Sequence, residues 1–344
     1  MLTQKEGFVN KLVLHPMFTK TLKEMDKLNI KLPTNPSIQD LDFSQFLYPT
    51  QGELISKIED SKIYKLDPKR GSKFINENLL ISAYDESINK FSCLEGTAFL
   101  TSHSLVIQKP GEEYLPANYL TFYFYTRSKD YSENADYIKY SEDPEADSKR
   151  DYVQDRTEFI LQNTPKNSII LIDGPLIGAQ ASSYTIKLNK ELLKKDILPI
   201  FFVKNSNSNI VIDNIKELKG RYNSDMHWSY NILKPGERTC LFRYEDKFNP
   251  NNAKLFCYLK TFNISPQRIE FHVDTFNKYK NQINDMMDLI CYLVLAQGDL
   301  KNPQTRPIAI AEMYARETLK LIDLDKLMRG FNITPTMNQE RFGW

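Results

Sequence analysis

Two carboxylates stand where apolar runs stop. In Ile81-Ser82-Ala83-Tyr84-Asp85 and in Ile170-Leu171-Ile172-Asp173-Gly174-Pro175 an Asp closes a strand-like segment, and an acid at the end of a strand sits on a rigid element with its carboxylate aimed in one direction. α/β folds collect active-site groups at such ends. Asp173 is the stronger instance, because Gly174-Pro175 turns the chain and leaves the acid at the rim. Taken singly, each Asp reads more simply as an Asx-turn or a helix cap. Taken as a pair on neighbouring strands, they supply oxygen ligands for a hard cation, Mn²⁺ or Mg²⁺, which needs a few carboxylates and keeps positions open for phosphate oxygens. Glu158, on the helix that feeds the Asp173 strand, offers a third carboxylate, or else is a surface helix acid. Lys204 ends the run ILPIFFVK; it is either a point charge for phosphate or an ordinary solvated strand-end lysine.

Other residue types offer less. His15, His103, His227 and His272 show no metal-ligand spacing. The four cysteines form no CxxC pair, which argues against a zinc site or a disulfide framework and for buried thiols in a reducing, cytoplasmic setting. Lys+Arg 45 against Asp+Glu 44 leaves a formal charge of +1, so no global positive field draws in a nucleic acid and any contact with one must be local. No apolar run approaches the length needed to span a bilayer.

The elements that must hold these acids can be read in outline. Residues 1–75 combine helical spacing (Phe8, Leu12, Phe18, Leu22) with a Pro33/Pro36 break, and read as a helical arm for partner or dimer contacts. From 76 the texture turns to strands, NLLISAY, KFSCLEGTAFLTSHSLVIQ and YLTFYFYT. The charged stretch 127–151 reads as an exposed insertion. A helix over Tyr152 to Asn163, the strand IILID, a helix ending near Lys195 and the strand ILPIFFVK then give a parallel βαβ unit. Strand-like CLFRYE, AKLFCYLKTF and RIEFHVD follow, and two helices, KYKNQINDMMDLICYLVLAQ and Ile308 to Met328, close a main domain over 76–330, leaving 331–344 as a tail. The fold class is α/β, a mixed central sheet with flanking helices and an N-terminal helical extension.

Six segments in order, AYDES at 83–87, DRTEF at 155–159, LIDGPL at 171–176, FFVKNS at 201–206, KPGERT at 234–239 and RPIAIAEMYA at 306–315, resemble the motifs of the NurA nucleases across nearly the whole chain. The resemblance implies an RNase H-like fold, metal-dependent hydrolysis of DNA at ends, Mn²⁺ or Mg²⁺ held by Asp85, Glu158 and Asp173, Lys204 at the phosphate, a homodimer, and a HerA-like hexameric ATPase translocase as partner. Arg238, and Arg268 with Glu270, fall at family positions that stabilise the fold or a dimer. Two departures stand out: Glu86 replaces a glycine of the first motif, and Glu312 stands where the family carries a histidine. Glu312 is then an auxiliary acid or a solvent-facing one. An inactive structural subunit of such a complex, or a metal-dependent hydrolase of a smaller phosphoester, are the competing functions.

Overall fold

The computed structural model of the protein describes residues 53–75, 79–108, 114–129, 138–176, 182–204, 206–246, 253–333 and 335–336. The chain enters with strands β1 (Glu53–Lys57) and β2 (Tyr64–Lys65) and a short helix, α1 (Pro68–Ser72). An antiparallel meander follows, β3 (Ile81–Ser92), β4 (Thr97–Gln108) and β5 (Leu115–Thr126), then β6 (Ile138–Tyr140) and the long helix α2 (Pro144–Asn163). Next come β7 (Ile169–Asp173), α3 (Ser182–Lys194) and β8 (Leu198–Val203). Helix α4 (Asp225–Ile232) leads to β9 (Glu237–Arg238), β10 (Phe242–Asp246), β11 (Ala253–Lys260) and β12 (Gln267–His272). Helices α5 (Val273–Tyr279), α6 (Ile283–Gln297), α7 (Arg306–Leu319) and α8 (Leu324–Gly330) finish the described chain.

The strands join one mixed sheet in the order β1-β10-β11-β12-β8-β7-β3-β4-β5-β6. Its centre is the RNase H-like arrangement: the β3-β4-β5 meander, with β7 parallel to β3 and β8 parallel to β7. β12 runs antiparallel to β8 and extends the sheet beyond it. Side chains alternate across a strand, and that period sorts the core. Ile81, Ala83, Leu171 and Phe202 pack with Ile290, Ile308 and Ala311 of α6 and α7 on one face. Tyr84, Ile170, Ile172 and Phe201 pack with Ile160, Leu188 and Leu192 of α2 and α3 on the other.

Three expectations change. The helical arm over 1–75 lies outside the described residues as far as 52, and from Glu53 onward the chain belongs to the sheet, with β1 paired to β10. A partner so distant in sequence leaves no local signature. The stretch 127–151 is not all an insertion: β6 and the first two turns of α2 occupy 138–151. Asp143 caps that helix by accepting from the Ala146 N–H, with Pro144 in its first turn, a start signal hidden by the surrounding charge. The last expected helix is two, α7 and α8, separated where Asp323 caps the second. Pro335, in the expected tail, bridges to Cys93, and 337–344 lie outside the described residues.

Candidate metal centre

Period-2 alternation places Asp85 on the same face of β3 as Ile81 and Ala83, which is the face covered by α7. By the same rule Asp173 follows Leu171, and Lys204, one residue past β8, follows Phe202, so all three are directed to that side. Helix α7 crosses β3 and β4 there. It can lie close because the facing residues are small: Ser102 and Ser104 of β4 and Ala311 and Ala315 of α7 are fully buried. Glu312, next to Ala311, is thereby brought down to Asp173 at the end of β7 and to Asp85, which does not close a strand as expected: β3 runs on to Ser92 because it pairs with β4 along its whole length, and the polar residues after Asp85 hid that continuation. Carboxylate oxygens of Asp85, Asp173 and Glu312 lie within 4.8 Å of one another.

Lys204 knits the cluster. Its ammonium is 2.8 Å from Asp173 Oδ2 and 2.8 Å from Glu312 Oε2. Glu312 also accepts from Gln304 Nε2 at 3.3 Å and pairs with Arg316 one turn along α7. Asp85 is 8% exposed and accepts the Glu86 backbone N–H at Oδ1, 2.8 Å away. Burial first, then the charges of Asp173 and Glu86, push the Asp85 carboxyl up to about 7, against the pull of the Glu86 N–H and the Lys204 charge. Burial also raises Glu312, but the hydrogen bond and charge of Lys204 outweigh it and hold that carboxyl below its ordinary value. Lys204 is lowered by burial and raised more by Asp173 and Glu312, so its ammonium persists well into alkaline solution.

An all-oxygen set of three carboxylates, one reluctant to ionise beside its neighbours, has the character that a hard divalent cation satisfies. The cluster fits Mn²⁺ or Mg²⁺ through one oxygen from each of Asp85, Asp173 and Glu312.

Of the residues expected at this centre, Asp85, Asp173, Lys204 and Glu312 come together and Glu158 does not. Glu158 is exposed on α2, where Gln154 Nε2 donates to it at 3.1 Å. α2 packs on the opposite face of the sheet, with Phe159 and Ile160 turned inward against Tyr84 and Ile172. Val153, Thr157 and Ile160 do face inward, as their spacing implies, but which face of the sheet the helix covers is fixed by tertiary packing, and the sequence of α2 alone did not reveal it. Gln304 and Arg316 were missed as neighbours of the centre. Their only sequence signal was position: Arg316 lies one helical turn after Glu312 and Gln304 just ahead of α7.

Beside the cluster a cavity of about 760 Å³ runs along α7. Lys204 and Glu312 are among the residues that line it, with Lys301, Arg316, Glu317, Lys320, Leu300 and Met313.

Fold and centre together define an RNase H-like α/β protein with an acid cluster, drawn from β3, the end of β7 and α7, that suits a hard divalent cation. Residues 81–317 match the NurA domain, and the chain belongs to the NurA family. Among solved structures, the NurA nuclease from Sulfolobus solfataricus is 13% identical, with 74% of this chain and 86% of that one covered and a TM-score of 0.43. A NurA structure with manganese is 9% identical over 91% of this chain and 96% of the other, with a TM-score of 0.41. Endonuclease V of Ciona intestinalis in complex with a 24mer DNA is 12% identical over 75% and 96%, with a TM-score of 0.39. The comparison with curated proteins finds no match. Among the described residues no helix is long and apolar enough to cross a membrane.

Proposed function

We propose that this protein is a divalent-metal-dependent deoxyribonuclease that hydrolyses phosphodiester bonds, with Asp85, Asp173 and Glu312 as the cation-holding acids and Lys204 as the phosphate-pairing cation. The observation that carries this reading is the convergence of three carboxylates within 4.8 Å with a lysine ammonium 2.8 Å from two of them. Family membership supports it. The sequence reading that put Glu158 in the set is replaced by Glu312, which stands at the histidine position of the family motif and supplies an anionic oxygen there.

When bound, a divalent cation at this set lowers the pKa of the attacking water and stabilises the entering and leaving oxygens of the in-line displacement. Asp85 from within β3 and Asp173 from the end of β7 would fix its place from rigid strands, with Asp85 giving up any proton it carries. Glu312 closes the set from above the sheet and is oriented by Arg316 and Gln304. Lys204 is released from part of its carboxylate pairing and turns to a non-bridging phosphate oxygen. The groove along α7 takes the flanking strand, its Lys301 and Lys320 near phosphates and its exposed Leu300 and Met313 against sugar or base.

End-directed processing as a homodimer, with DNA delivered by a HerA-type hexameric translocase, completes the proposal. It rests on the family and on a formal charge of only +1, which suits delivery by a partner better than autonomous capture. The test is cleavage of linear DNA by the full chain with Mn²⁺, Mg²⁺ or chelator, alone and with the translocase. Metal-dependent cleavage that Asp173→Asn abolishes is expected. Metal binding at the cluster without cleavage under either condition would favour the structural subunit instead, and hydrolysis of a small phosphoester but not DNA would favour the third reading.

A further inference from the structure

On β11 and β12, across β8 from Asp173, three charged side chains are buried together. Glu270 is fully enclosed, with Lys254 Nζ 2.7 Å and Arg268 Nε 2.8 Å from its Oε1. A fully buried ion triad adds little net stability, because removing the charges from water offsets their attraction. Its other contacts give it a different use. Glu270 Oε2 accepts the backbone N–H of Leu176 at 2.8 Å, in the turn that begins with Asp173-Gly174-Pro175. That turn needs Gly174 at a φ of 104°, and the Gly174 N–H is bonded to Phe202 O on β8. Arg268 reaches the other way: its Nη1 donates to Ser206 Oγ at 3.0 Å and Ser208 Oγ at 2.5 Å, in the segment that leaves Lys204.

We infer that the Lys254–Glu270–Arg268 triad is a positioning device for the metal centre, holding the turn after Asp173 through Glu270 and the segment after Lys204 through Arg268. One buried network thereby fixes both ends of the Asp173–Lys204 pair, and the inference rests on the proposed role of that pair. Both anchor groups start from the rigid strand β12 rather than from the loops they hold, which makes their spacing insensitive to loop motion. Lys254 and Arg268 keep Glu270 ionised despite its burial, so the acceptor for the Leu176 N–H is a full carboxylate.

The test uses the full chain and two variants that loosen the device from different sides. Glu270→Gln removes its charge, and the double variant Ser206→Ala with Ser208→Ala unhooks the Lys204 side while leaving the Glu270–Leu176 bond in place; because Ser208 also donates to the buried Asp225, its thermal melt is measured alongside. Mn²⁺ titration followed by electron paramagnetic resonance should show about tenfold weaker binding in each. The control Asp288→Asn, which weakens the pairing of the buried Asp288 carboxylate with the half-exposed Arg70 elsewhere, should lower thermal stability and leave Mn²⁺ affinity unchanged. Hydrogen exchange reads the same coupling without metal or cleavage: Glu270→Gln should speed exchange in 206–208, which Glu270 itself does not touch. Unchanged exchange there would overturn the inference, as would unchanged Mn²⁺ affinity in the serine double variant. Failure of wild type to cleave DNA, with both responses intact, would remove the nuclease reading and leave the positioning role standing.

Discussion

Asp85 and Glu86 are chain neighbours, yet they lie on opposite faces of β3 and meet opposite treatment. Asp85 joins a cluster whose other members, Asp173, Glu312 and Lys204, keep some contact with solvent. Glu86 is turned toward α2, where it accepts the Tyr152 hydroxyl beside the buried Arg156 guanidinium and beside His103, whose Nδ1 lies 2.7 Å from Tyr84 Oη. The first face leaves an acid with charged company and room for a cation; the second closes an acid into aromatic and hydrogen-bonded surroundings. Alternation along a single strand is enough to separate chemistry from architecture.

The largest test of that contrast is Asp85→Asn or Asp173→Asn, which should reduce metal-dependent cleavage on the order of a thousandfold or more while leaving the circular dichroism melt near wild type. Equal loss of folding would mean that the acids serve the core. Next is the pair Glu312→Gln and Glu158→Gln. We expect the first to weaken Mn²⁺ binding by roughly ten- to a hundredfold and the second to leave it unchanged, because Glu158 is on the far side of the sheet. The reverse ranking in a calorimetric titration would restore Glu158 to the centre.

On the closed face, Tyr152→Phe removes the hydroxyl donated to Glu86 and should lower unfolding free energy by about 1–3 kcal/mol, with cleavage of the folded protein preserved. A drop in cleavage at full metal occupancy would show that the two faces of β3 communicate. The effect spread most gradually across conditions concerns acid. Burial, then the Arg156 charge, lowers the His103 imidazole from its ordinary 6.5 to about 4. The unfolded chain therefore binds this proton more readily than the folded one, so the stability contributed is present above pH 6.5 and is lost as pH falls toward 4. The total is up to about 3 kcal/mol. A His103→Gln variant should show a shallower loss of melting temperature across that window, measured at fixed ionic strength.

What could be read in advance follows the range of the interactions involved. Asp173 and Lys204 were legible because a strand announces itself by its own apolar run and its end by the residue where that run stops. The βαβ unit was legible for the same reason. The same rule picked out Asp85 for the wrong reason, since β3 continues past it to Ser92 by pairing with β4. Glu158 misled because α2 covers the face of the sheet opposite the acid cluster, packing on Tyr84 and Ile172, and nothing in its own sequence says which face of the sheet it will cover. Glu312 could be noted from its place in RPIAIAEMYA, but its arrival beside Asp85 depends on how closely α7 settles on β4. β1 was invisible, since among the described residues it pairs with β10, far along the chain.

That close settling of α7, over Ser102 and Ser104 below and Ala311 and Ala315 above, makes the helix a caliper for ionic radius. On the proposed role of the cluster, the distance from Glu312 to Asp85 and Asp173 follows how closely these four small side chains let α7 approach the sheet. Substituting Ser104 with valine would lift the helix and widen the gap, shifting preference from Mg²⁺ toward the larger Ca²⁺, whose coordination is looser and longer. Discrimination between ions would thus be written in the thickness of a helix–sheet interface rather than in the identity of the ligands.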